Sequence, residues 1–169
     1  MKPEDFITPG NKRSAAVSRR VPFTHMGPVD SRIWKAALAL RLMPADRYEY
    51  DVRLGGITAV NIDPEHELRE MWETLTKKRV DVVAWRGDVP WLIEVKPVAG
   101  FAALGQCLGY GDLWSRERKA RQAAGLACVC AVADPDLLPT FGRFGVRVFA
   151  LPAQVAEEVL RPPGERQRH

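Results

Sequence analysis

The sequence predicts an α/β domain with a mixed central sheet flanked by helices. Three observations carry this. An Ala/Leu-rich helical segment opens the core, a β-rich hairpin holds its centre, and a second helix followed by a short apolar run closes it. At 169 residues the chain has room for one compact domain with arms. With 46% hydrophobic and 27% charged residues it is ordinarily globular, which excludes wholesale disorder and fibrous repeats.

Residues 1–29 are rich in Pro, Gly, Ser and basic side chains and lack periodicity, so they read as an extended basic N-terminal arm. Asp30-Ser31 then offers an N-cap for a helix over Ile33 to Leu42, ending before Pro44. From Tyr48 to Leu54, Tyr48, Tyr50, Val52 and Leu54 alternate with Glu49, Asp51 and Arg53, the period of a strand with one buried face. Gly55-Gly56 ends it. Residues Ile57 to Ile62 are expected to form a second ribbon. Pro64 to Leu75 is expected to form a short helix carrying Leu68, Met71, Trp72 and Leu75 on one side.

Two β-rich runs, Arg79 to Trp85 and Trp91 to Lys96, flank Gly87-Asp88 and predict a hairpin. Their apolar residues occupy both faces, as in strands covered on both sides. Phe101 to Trp114 spaces Leu104, Leu108, Tyr110, Leu113 and Trp114 as a helix that runs into a basic segment. Gly105, Gly109 and Gly111 in it suggest close helix packing. Leu126 to Ala133 predicts a buried strand, Pro135 to Phe141 a short helix, and Val146 to Leu151 a final strand. The domain is bounded at 30–155, and 156–169 reads as a basic C-terminal tail.

The formal charge of +4 makes a polyanionic partner plausible. Lys2, Lys12, Arg13, Arg19 and Arg20 cluster in the arm, and Arg116, Arg118, Lys119 and Arg121 cluster after the second helix as nucleic-acid contacts. Cys107, Cys128 and Cys130 have neither metal-ligand nor bridging spacing and read as small core residues of a reducing compartment. The longest apolar run is too short to span a bilayer and the N-terminus lacks a signal-peptide core, so an intracellular or virion-associated location is expected. His25, His66 and His169 lack ligand-spaced partners.

Asp81, Glu94 and Lys96 stand out because ionised side chains within buried strands are costly unless paired or coordinating. Strand alternation puts Glu94 and Lys96 on one face, roughly 7 Å apart, with Asp81 on the adjoining strand. Two converging carboxylates suit Mg²⁺ or Mn²⁺, and a neighbouring lysine can orient water or offset charge on phosphorus. The competing interpretation is a Glu94–Lys96 ion pair retained for register.

Asp81, then Glu94-Val95-Lys96 after a hairpin, then a helix, resembles the PD-(D/E)XK nuclease superfamily across roughly Asp30 to Leu151. The resemblance implies a restriction-endonuclease-like core of order α-β-β-β-α-β. It also implies metal binding by Asp81 and Glu94, and Lys96 assisting the attacking water. Gln106 and Tyr110, four apart on one helix face, are similar to the Gln-x-x-x-Tyr element of the RecB-like branch. Two departures stand. Val80 replaces the usual proline, and the first helix lacks an interior glutamate; Asp30 lies at its cap, and Glu49 or Asp51 on the first strand could substitute as auxiliary residues. The implied activity is metal-dependent hydrolysis of DNA, endonucleolytic more than exonucleolytic. The alternative is a nuclease-fold component of a phage head-to-tail or DNA-packaging assembly, docked through the arm and located in the host cytoplasm or the virion.

Overall fold

The computed structural model describes residues 26–56, 75–117 and 124–162. The arm up to residue 25, the ribbon and helix expected between 57 and 74, and the tail from 163 lie outside the described residues. The first helix, α1, spans Pro28–Ala39. It begins earlier than the Asp30-Ser31 cap expected from sequence: Gly27 is the N-cap, Pro28 takes the first-turn position that needs no N–H, and the Ser31 N–H reaches the Gly27 carbonyl at 2.9 Å. Asp30 thereby moves into the first turn. At the other end Arg41 adopts a φ of 53° and the Leu42 N–H reaches back to the Ala37 carbonyl at 3.0 Å, a Schellman-type closure with arginine where glycine is usual.

Five strands form one sheet in the order β1 (Arg47–Leu54), β2 (Lys78–Arg86), β3 (Val89–Ala99), β4 (Gly125–Ala133) and β5 (Val146–Ala150). The first three pair antiparallel, and β4 and β5 join in parallel. The sheet is therefore mixed, with α2 (Phe101–Glu117), α3 (Leu138–Arg143) and α4 (Ala153–Leu160) following β3, β4 and β5. Gly87, at φ 57°, occupies the first central position of the β2–β3 turn, which glycine fills without strain.

Two apolar layers cover the sheet. On one side Ile33, Trp34 and Ala37 of α1 and Ala156 and Val159 of α4 pack on Val82, Ile93, Val95, Ala127 and Val129. On the other, Leu104, Cys107, Tyr110 and Trp114 of α2 and Phe141 of α3 pack on Leu92, Cys128, Cys130 and Val146. The cysteines are free and buried. Burial and then the nearby Glu94 charge push the Cys107 thiol up to about 12, which makes it a core residue and no nucleophile.

Three expectations need correction. The single buried face read for β1 splits: Tyr48 and Tyr50 pack toward α1, whereas Val52 and Leu54 pack toward α2. The cause is Asp51, whose φ of 56° breaks the alternation between the registered pairs Tyr50↔Val82 and Val52↔Val80. The boundary at 155 cuts through α4, whose Ala156 and Val159 are core and whose Val159 carbonyl accepts from Arg32 Nε at 2.8 Å; the domain continues to Leu160. Of the three helical glycines, only Gly111 is in close contact, with Leu126 3.1 Å from where a Cβ would stand, while Gly105 and Gly109 face open space.

Candidate active site

The pairing of β2 with β3 runs from Arg86↔Val89 to Val82↔Ile93 and stops there, at the residues just before Asp81 and Glu94. Strands that part leave room between them. Asp81 occupies this opening, and its Oδ2 accepts the Val95 backbone N–H at 2.9 Å in place of a ladder bond. Glu94 lies on the α2 side next to Cys128 of β4, and its side chain is only 1% exposed. Lys96, two residues along the same strand, brings Nζ to 2.7 Å from Glu94 Oε1. The sheet thus gathers the three charges that the sequence singled out.

The electrostatics follow from burial. Asp81 is pushed up to about 7, first by desolvation and then by the Glu94 charge, against the Val95 N–H and Lys96. Desolvation also raises Glu94, opposed by Lys96 and by the Tyr110 hydroxyl. Burial works against the Lys96 ammonium, yet contact with Glu94 and the nearby Asp81 and Asp30 outweigh it and the net shift is upward. Lys96 is therefore a fixed cation.

Sequence reasoning named Glu49 or Asp51 as substitutes for a missing helix glutamate and noted only a cap position for Asp30. The structure favours it over Glu49 and Asp51. Seated in the first turn of α1, the Asp30 carboxylate accepts from the Gly27 backbone and acts on Lys96, Asp81 and Glu94 alike. Burial raises it and Lys96 opposes the rise. The auxiliary residues expected on β1 are directed elsewhere: Glu49 pairs with Arg47 at 3.4 Å on the surface, and Asp51 lies 3.7 Å from Arg79. Edge-strand position and the left-handed turn at Asp51 explain the difference.

Gln106 and Tyr110 do reach the site, in series. Gln106 Nε2 donates to the Tyr110 hydroxyl at 3.1 Å, and that hydroxyl faces Glu94, whose charge together with burial raises the phenol well above its ordinary range. Gln106 acts through Tyr110, so it is a positioning residue. Arg116 is exposed and held by Asp112 at 2.6 Å, while Arg118, Lys119 and Arg121 lie outside the described residues.

The donor set fits a hard divalent cation in one respect that the structure supplies. Both Glu94 oxygens are buried and lack a hydrogen bond of normal geometry, with the Lys96 ion pair at Oε1 and the Tyr110 hydroxyl beside the carboxylate. Among the described residues no group of three His, Cys, Asp or Glu side chains could hold a metal ion, so a cation here would have two carboxylates, Asp81 and Glu94, from the protein.

No family model matches the chain, and no curated protein matches it. Among solved structures it is similar to the crystal structure of a protein of unknown function, AF1548, at 14% identity over 85% of this chain and 73% of that one, with a TM-score of 0.42. A likeness of that size carries no argument about fold or function. No described helix is long and apolar enough to cross a membrane.

Proposed function

We propose that the chain is a metal-dependent nuclease of the PD-(D/E)XK type that hydrolyses DNA phosphodiester bonds, cutting internally. The observation that carries this is the buried, incompletely satisfied Glu94 carboxylate beside Asp81 and Lys96 where β2 and β3 separate. Desolvated charges assembled at one point are expensive for a fold and are found chiefly where chemistry uses them. The element order and mixed sheet support the restriction-endonuclease-like reading of the fold.

Asp81 and Glu94 would hold Mg²⁺ or Mn²⁺, and the cation, when bound, neutralises phosphate charge and lowers the pKa of coordinated water. The remaining work belongs to the protein. Lys96, fixed as a cation by Glu94, is placed to orient the attacking water and offset negative charge as it grows on the phosphoryl oxygens. Tyr110, held by Gln106, limits the rotamers of Glu94. Asp30 adds a third negative charge that keeps Lys96 protonated and strengthens attraction for a dication.

Incubation of the protein with supercoiled DNA tests this. Nicking is expected with Mg²⁺ or Mn²⁺, none with EDTA, and at least a hundredfold loss in Lys96→Ala. Equal nicking by Lys96→Ala would refute it. The assembly role rests on the N-terminal arm, which lies outside the described residues.

A further inference from the structure

The two edges of the sheet are not alike. β1 carries Arg47, Glu49, Asp51 and Arg53, and the left-handed Asp51 at φ 56° interrupts its row of backbone groups. Charge and distortion of that kind keep an edge from adding further strands. β5 has neither protection. Its residues Val146, Arg147, Val148, Phe149 and Ala150 include one charge and no proline, none has a positive φ, and no described strand pairs with its outer side.

The ladder with β4 decides which groups the outer side presents. In a strand the N–H and C=O of one residue point the same way and those of the next residue point the opposite way. The Leu151 N–H reaches the Cys130 carbonyl at 2.9 Å, and the Phe149 carbonyl accepts from Cys130 Sγ at 3.8 Å, so Arg147, Phe149 and Leu151 turn their backbone groups toward β4. Val146, Val148 and Ala150 therefore turn theirs outward. A regular row of such groups is a template for another strand.

We propose that a second copy of this chain pairs antiparallel along β5, about a twofold axis at Val148, to make one continuous sheet from the two five-stranded ones. In this register Val148 meets the partner's Val148 and Val146 meets the partner's Ala150, so every outward group of the strand is satisfied, through about six backbone hydrogen bonds. Charge selects the register. Arg147 stands opposite the partner's Phe149, a second ring for a guanidinium that already lies 5.2 Å from the centroid of Trp91. An axis one residue earlier would set Arg147 against the partner's Arg147, and like charges directly opposite destabilise a pair. An axis one residue later leaves Val146 without a counterpart. Phe144, two residues before the strand and 53% exposed, adds apolar surface at each end of the pair. Glu94, Cys128 and Val148 are in register across the sheet, so the two Glu94 positions fall on one line through the axis, roughly 24 Å apart on the same face.

Val148→Pro separates pairing from folding, because it removes an N–H that points away from β4, and proline is tolerated on an edge strand where the N–H faces solvent. Ala150→Pro, at an exposed position, removes the next outward N–H and serves as the second variant, each first shown by circular dichroism to be folded. Sedimentation equilibrium of the full chain should give twice the chain mass for the wild type at high concentration and a single chain mass for the folded proline variants. Amide exchange followed by NMR on the wild type reads the same event residue by residue. Val148 and Ala150 should gain protection as concentration rises, whereas Phe149, whose backbone faces β4, is protected throughout. A wild type that stays monomeric at every concentration overturns the pairing, as does a dimer that persists in folded Val148→Pro. Protection of the Val148 and Ala150 amides in the monomer overturns it too, since another segment of the same chain then covers the edge. None of these readouts depends on the chemistry at Glu94.

Discussion

Asp81 and Glu94 are two carboxylates that a folded chain would not bring together for stability. With Asp81 raised to about 7 from an ordinary value of 3.8, the metal-free native state binds a proton that the unfolded chain releases near pH 4. Stability from this group is therefore full below about pH 4 and lost as pH rises through about 7, and Glu94 shifts in the same direction. Thermal melts in EDTA should show Tm falling between pH 5 and 8, with Asp81→Asn flattening the slope and Mg²⁺ stabilising more at pH 8 than at pH 5; a Tm that climbs over that interval would contradict the assignment. A second expectation concerns Tyr110. Its phenol touches Glu94 and Gln106, so Tyr110→Phe should lower kcat for DNA cleavage by about tenfold with KM little altered, measured under steady state. The trio was legible in the sequence because charges interrupting apolar strands are conspicuous. The role of Asp30 was only half legible, since its place depends on whether the helix starts at Pro28 or two residues later, and Gly27-Pro28 was the signal that decides it.

Element by element, the sequence marked strands and helices well where one periodicity persisted. It misled where a single residue broke the pattern. Alternation in β1 placed Tyr50 and Val52 on one face, but the left-handed Asp51 sends them to opposite layers, and no pattern of apolar residues encodes that φ. α4 was obscured by Glu157, Glu158 and Arg161, although Val155 and Val159, and Ala156 and Leu160, stand at helical spacing. Two substitutions test the elements as described. Arg41→Gly should stabilise the protein by about 0.5–1 kcal/mol in urea denaturation, because glycine carries no Cβ penalty at φ 53° and the site is an exposed helix end. Gly125→Ala should destabilise it by about 1–3 kcal/mol, because a Cβ there would stand 2.4 Å from the Trp91 indole, which is itself pinned under the Arg147 guanidinium.

For the whole molecule, the mixed sheet has a consequence that neither its antiparallel nor its parallel half has alone. The β1–β2–β3 meander brings Asp81 beside Glu94, and the parallel β4 buries Glu94 from the other side while α1 delivers Asp30 and α2 delivers Tyr110. Five elements, β2, β3, β4, α1 and α2, meet at one opening in the sheet. On the proposed reading, a net charge of +4 would draw a polyanion toward a site that is itself acidic until a dication fills it. The most direct measurement is Mn²⁺ binding followed by electron paramagnetic resonance, on wild type and on Glu94→Gln shown by circular dichroism to be folded. Saturable Mn²⁺ uptake by wild type that is lost in Glu94→Gln is the expected result; equal uptake by both, or none by either in the presence of an oligonucleotide, would contradict a cation site between Asp81 and Glu94.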